Sequence, residues 1–167
     1  MTRFELVTEW RIGSSLDEVW EAISHCECWP QWWRGLSNVV EVSAGGRDGV
    51  GTLFRFSWKG VLPYHLVFDI RTTRVERLRI IEGVASGDVS GVGIWRFARE
   101  DGVTVVRYEW TVRMAAPRMK VLAWVAGPLL RWNHNKVMEW GGRGLARHLR
   151  SDLCVVQTGA PSVAPTK

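Results

Sequence analysis

Between Phe4 and Ile12 the bulky side chains fall on alternate positions, Phe4, Leu6, Trp10 and Ile12, with Thr8 in the same register and Glu5, Glu9 and Arg11 opposite. A period of two predicts a half-buried strand. Gly13 and Ser14 break the pattern, and Ser15-Leu-Asp-Glu18 sets an acid three positions after a serine, the spacing of a capping box. Leu16, Val19, Trp20 and Ile23 then recur at helical spacing, which predicts a short helix from Leu16 to Ser24. From Cys26 to Gly35 the chain carries Trp29, Pro30, Trp32 and Trp33; the proline demands a turn, and a second short helix is expected.

The period of two then returns. Strands are predicted at Ser37 to Ser43, Gly51 to Trp58, Tyr64 to Thr72, Arg74 to Ala85, Gly91 to Arg99 and Val103 to Met114. Gly45-Gly46-Arg47-Asp48-Gly49 and Glu100-Asp101-Gly102 read as hairpin turns, with further connections between Arg71 and Arg74 and around Gly87 to Gly91. Phe54, Phe56 and Trp58, then Leu66, Phe68 and Ile70, then Tyr108, Trp110 and Val112 share one face. Arg55, His65, Asp69, Arg107, Glu109 and Arg113 share the other. One apolar and one solvated face is the signature of an antiparallel sheet packed on one side.

Pro117 ends the strands, and Arg118 to Arg150 reads as helix, interrupted near Gly127-Pro128. Steps of three and four from Leu130 give His134, Val137, Gly141, Leu145 and His148 on one side, with Arg131, Asn135, Glu139, Arg143 and Arg150 on the other. Gly141, Gly142 and Gly144 each disfavour a helix by about 1 kcal/mol relative to alanine, so a close approach of helix to sheet is expected to offset them. The chain after Leu153 holds little apolar material. One domain over residues 1–152 and a disordered tail over 153–167 are therefore expected.

Composition narrows the function classes. At 167 residues and 46% hydrophobic, the chain is long enough for one sizeable core, and no apolar run approaches a membrane span. Its first residues lack the layout of a secretory signal, which makes a cytoplasmic location the expectation. Cys26, Cys28 and Cys154 form neither a disulfide framework nor a zinc set, and no histidine has a metal-binding partner at the right spacing. No metal and no cofactor are expected. The net charge of +5 is spread along the chain, so no nucleic-acid partner is predicted. The basic excess after Pro117 leaves transient contact with a membrane surface as a further reading. Gly45 to Gly51 resembles a phosphate loop only in composition, because no helix N-terminus follows it. The anomaly is eleven tryptophans, rings suited to a packed core or to the wall of an apolar pocket.

One strand, two short helices, six antiparallel strands and a long terminal helix is an order that resembles the START-like, or SRPBCC, superfamily. Within it the chain is similar to the polyketide cyclase/dehydrase and lipid-transport family, through Ser15-Leu-Asp-Glu-Val-Trp20, Leu62-Pro-Tyr64, Gly87-Asp-Val-Ser-Gly91 with Trp95, and Arg131-Trp-Asn-His134 leading to Val137-Met138 and Gly144-Leu-Ala146. The similarity covers about residues 4 to 150. It implies an α+β helix-grip fold, a curved seven-stranded antiparallel sheet wrapped round the C-terminal helix and enclosing an apolar cavity. It transfers no reaction, because no catalytic set is shared across the family.

The expected lining is therefore Trp10, Phe54, Phe56 and Phe68, then Trp95, Tyr108 and Trp110, with Val137 and Met138 from the helix. Asn133 and His134 lie at or beside the apolar helical face, where either can direct a hydrogen bond at a ligand. The bland alternative is a core histidine satisfied by a nearby carbonyl. The leading expectation is a protein that binds a hydrophobic small molecule, a lipid, polyketide or other polycyclic compound. The alternative is a polyketide cyclase, aromatase or dehydratase moving protons through His134 or Tyr108. Neither a nucleophile elbow nor a triad is visible, and the oligomeric state is not written in the pattern.

Overall fold

The structure, a computed structural model, describes the backbone of residues 3–159 and the side chains of these except 118–126 and 155. Strand β1 (Arg3–Ile12) leads into helix α1 (Leu16–Ser24) and a 3-10 helix (Cys26–Gln31). Six strands follow: β2 (Leu36–Ser43), β3 (Leu53–Lys59), β4 (His65–Glu76), β5 (Ile80–Gly87), β6 (Val89–Glu100) and β7 (Val103–Met114). Helix α2 (Pro117–His148) and strand β8 (Leu153–Gly159) complete the chain. The sheet order is β2-β3-β4-β5-β6-β7-β1-β8, antiparallel throughout, and α2 crosses its inner face. This is the helix-grip fold.

Local chemistry places the elements. The Ser15 hydroxyl accepts from the Glu18 amide while the Glu18 carboxylate accepts from the Ser15 amide at 2.9 Å, so the expected capping box opens α1. On the solvated face Arg55 makes a paired contact with Asp69, and Arg107 and Arg96 share Glu109. Such exposed pairs contribute little each, and they keep that face wet.

Three expectations are corrected. The sheet has eight strands: Leu153–Gly159 is not a disordered tail but pairs with β1, Thr158 opposite Thr8 and Val156 opposite Trp10. An open sheet edge recruits backbone whatever the hydropathy of the segment, and Val155, Val156 and Thr158 are good strand formers. Residues 160–167 of the expected tail lie outside the described residues. The turn between β4 and β5 falls at Arg77 to Arg79, with Leu78 at φ 62°, instead of near Thr72. A register shift between Thr72 and Arg74 absorbs the irregularity that reads as a turn in the sequence. Finally, α2 runs unbroken through Gly127-Pro128. A proline removes one bond of the ladder, a loss that a 32-residue helix sustains.

The core is organised round indoles. Trp33 meets five others, Trp10, Trp29, Trp32, Trp58 and Trp95, at centroid distances of 5.1 to 6.2 Å. Trp29, Trp32 and Trp33 are all buried, so they form core and not a surface anchor. Helix α2 lies directly on this layer. A methyl group at Gly141 would overlap the Trp33 ring, one at Gly142 would come within 3.0 Å of the Trp10 ring, and one at Gly144 would overlap the Trp32 carbonyl oxygen. The expected close approach is thus made to β1 at Trp10 and to the Trp32-Trp33 segment. Trp33 Nε1–H fastens it by donating to the Val137 carbonyl at 2.8 Å.

Gly144→Ala is expected to lower unfolding free energy by about 3 kcal/mol or more, because backbone stands in the way and cannot yield. Gly127→Ala, where the nearest atom to a new methyl is 3.9 Å away, should instead be neutral or stabilise by up to about 1 kcal/mol. Urea denaturation of the two variants checks the contrast.

Candidate functional site

Between the inner face of the sheet and α2 lies a cavity of about 130 Å³. The sheet contributes Phe56, Phe68, Trp95, Tyr108 and Trp110, rings that face inward because they sit on alternate positions of β3, β4, β6 and β7. Their rings form a chain of contacts: Phe56 stacks on Phe68 at 5.9 Å, Phe68 meets Trp110 at 6.0 Å, and Tyr108 stacks on Trp110 at 6.0 Å and on Trp95 at 4.2 Å. Helix α2 closes the other side with Leu130, Asn133, His134, Val137 and Met138. Phe4, Met114, Trp29 and Trp33 add to the wall.

Nine of the eleven side chains expected to line the cavity do so. Trp10 does not: it is 1% exposed and fills the space above Gly142 between Trp33 and Trp95. Phe54 lies instead on a second, neighbouring cavity of about 80 Å³. Both point inward as their strand register demands. Alternation fixes the face of a side chain but not its height along the strand, which is why these two assignments failed. Sequence reasoning missed Tyr64 and Arg131. Tyr64 lies within the Leu62-Pro-Tyr64 motif, which signalled it without a role, whereas Arg131 falls on the polar side of the helical wheel. Its guanidinium folds back over the Phe4 ring at 5.3 Å, a reach that long cationic side chains have and a helical wheel ignores.

Asn133 is buried, and its amide is committed to the protein. Its Oδ1 accepts from the Val61 and Leu62 amides at 2.7 and 3.2 Å, and its Nδ2 donates to the Tyr64 hydroxyl at 3.1 Å. Gly60 makes room for this, since a methyl group there would clash with the Asn133 amide. Asn133 therefore latches the β3–β4 loop onto α2 at the edge of the cavity instead of offering its amide inward. His134 is different: its Nε2 is buried with no partner among the described residues. Burial, helped by the positive charge of Arg131, pushes its pKa down to about 4, so the ring is neutral at neutral pH. Burial pushes the Tyr108 phenol up and raises Tyr64 as well, the latter against the bond from Asn133. Among the described residues no group of three or more His, Cys, Asp and Glu could hold a metal ion.

The family model for polyketide cyclase/dehydrase and lipid transport matches residues 12–139. The chain belongs to this polyketide cyclase/dehydrase and lipid-transport family. Solved structures with the same fold include a Thermus thermophilus protein, with TM-score 0.69, 16% identity, and 87% of this chain and 99% of that one covered. Another is the Zhui aromatase/cyclase of a Streptomyces species, with TM-score 0.69, 13% identity, and 89% and 94% covered. A START superfamily protein of Mycobacterium smegmatis gives TM-score 0.70, 14% identity, and 88% and 98% covered. At such identities the likeness establishes the fold alone. No curated protein matches this family member in sequence.

The buried His134 makes stability depend on pH. In the unfolded chain the imidazole takes up a proton below its ordinary 6.5, whereas the folded ring resists down to about 4. Its contribution is therefore whole above pH 6.5 and lost as pH falls toward 4, by about 3 kcal/mol. His134→Leu should flatten that slope in urea titrations at pH 7, 5 and 4. For the latch, Asn133→Ala should remove about 1–3 kcal/mol and speed amide exchange at Val61 and Leu62 specifically, as hydrogen exchange would read.

Proposed function

We propose that the protein binds an apolar small molecule between the sheet and α2 and acts as a carrier or binding protein. The observation that carries this reading is the cavity itself: an unfilled space walled by stacked aromatic rings. Such voids lose dispersion contacts, and a folded chain keeps one where a ligand restores them. His134 is a buried polar group free to orient that ligand. A hydrogen bond to it is worth about 1 kcal/mol, enough to select a pose and not enough to dominate affinity.

The second reading, a cyclase, aromatase or dehydratase working in the same cavity, has the unpartnered His134 nitrogen in its favour. Against it stands the direction of both pKa shifts. A general base works best with a pKa near the working pH, and burial moves His134 well below neutrality and Tyr108 away in the other direction. No carboxylate stands among the described residues lining this cavity to bring the imidazole back up. Holding a ligand suits this wall better than transforming one. Membrane-surface contact has less support still, although no helix among the described residues is long and apolar enough to cross a membrane.

Iodobenzene, a single apolar ring carrying a heavy-atom quencher, should quench tryptophan fluorescence saturably. Leu66→Trp, which places a second ring system in the cavity, should abolish the saturable part with the fold retained by circular dichroism. Linear, collisional quenching alone in the wild type would reject the binding reading. Extraction of the purified protein followed by mass spectrometry separates carriage from catalysis, because a carrier releases its apolar compound unchanged. Should turnover of a supplied polyketide be found, His134→Gln must cut it by about a hundredfold or more for the catalytic reading to hold.

A further inference from the structure

The inner face of the sheet has a gap in it. Strands β5 and β6 set Gly83 opposite Gly93, so two adjacent inward positions carry no side chain. Both glycines line the second cavity, about 80 Å³, which shares Trp29, Phe56, Ile70, Trp95 and Tyr108 with the main one. These four rings and the Ile70 side chain stand between the two spaces. Ile70 covers Gly83, where a methyl group would lie 2.5 Å from its Cγ2, and Tyr108 is the ring of the four that reaches over Gly93, where a methyl group would lie 2.7 Å from its hydroxyl.

The four are not equally fixed. Trp29 Nε1–H donates to the Ala22 and Ile23 carbonyls at 3.2 and 3.1 Å. Trp95 packs against Trp10, Trp29 and Trp33 as well as Tyr108. Phe56 is stacked on Phe68 and meets Trp29. Tyr108 is held by its stacks on Trp95 and Trp110, and no hydrogen bond anchors its hydroxyl among the described residues. It is the only one of the four rings whose tip occupies the gap.

We propose that Tyr108 sets the length of the ligand, limiting the occupant of the main cavity to about one ring and closing off the glycine hollow that a longer ligand needs. This rests on the reading of the cavity as a ligand site. Its volume, about 130 Å³, is close to that of a protein cavity of about 150 Å³ that takes benzene. A two-ring molecule fits only if the hollow behind Tyr108 is joined to it. Tyr108 is thus a specificity-determining residue, and its ring matters more than its hydroxyl.

The test is calorimetric titration of toluene and naphthalene into the wild type, Tyr108→Phe and Tyr108→Val. Naphthalene is the more hydrophobic and should bind more tightly wherever it fits. The wild type and Tyr108→Phe are expected to prefer toluene. Tyr108→Val should raise the naphthalene-to-toluene affinity ratio about tenfold or more. A wild type that already prefers naphthalene, or an unchanged ratio in Tyr108→Val, overturns the proposal while leaving the binding reading intact. Binding of neither molecule to any variant rejects the binding reading itself. If Tyr108→Val does not fold, Gly93→Ala serves: its methyl group pushes the phenol toward the main cavity and should weaken toluene binding severalfold, and no change would count against the divider.

Discussion

Everything in this molecule depends on how closely α2 can approach the tryptophan layer. Three helix positions without side chains, Gly141, Gly142 and Gly144, receive the Trp33 ring, the Trp10 ring and the Trp32 backbone. Indoles pressed against bare helix backbone exclude water and restore the contacts that glycine itself cannot make. That seating fixes the C-terminal half of α2 against the sheet. One to three turns earlier, Val137, Met138, His134 and Leu130 then stand off from the opposite strands by whatever space their shorter side chains leave, and that space is the cavity. Closeness at one end of the helix and emptiness further along it are one arrangement.

Much of this was legible in the chain. Alternation from Val103 to Met114 marks β7 to the residue, and Ser15 with Glu18 marks the start of α1, because both signals are local: a strand in a sheet with one wet face must alternate, and a capping box satisfies its own amides. What failed was non-local. Strand β8 exists because β1 has a free edge, which nothing within Leu153 to Gly159 announces. The β4–β5 turn rests on a leucine at positive φ, a conformation that composition gives no hint of. Trp10 and Phe54 were assigned to the right face and the wrong level, since level depends on strand stagger across the sheet.

The two polar helix residues show the same division in chemical terms. Neighbours in sequence and similar on a wheel, Asn133 and His134 do opposite things. The Asn133 amide closes the β3–β4 loop through three hydrogen bonds, whereas His134 keeps an unmet nitrogen in a surrounding that strips its charge. A buried amide left unsatisfied is costly, and the free amides of Val61 and Leu62 gave Asn133 partners that a histidine ring one position on could not reach. The wheel identifies candidates for polarity at the cavity; only the loop decides which of them is already occupied.

Glycine has opposite consequences on the two sides of the interior. On α2 the missing side chains are replaced by indoles from β1 and the segment after the 3-10 helix, and density is regained. On β5 and β6 the pair Gly83 and Gly93 is met by the Ile70 methyl, the tip of Tyr108 and the edge of Trp110, and a hollow persists beside them. The difference lies in what faces each gap. A helix set against a tryptophan-rich strand has large rigid rings within reach, while the neighbouring strands cover Gly83 and Gly93 with side-chain ends and ring edges that leave the space beside them open. Packing density is thus governed by which element meets a glycine and not by the glycine alone. The interior is tight where helix meets indole and open where sheet meets sheet-borne ring, and a ligand would find its room on that side.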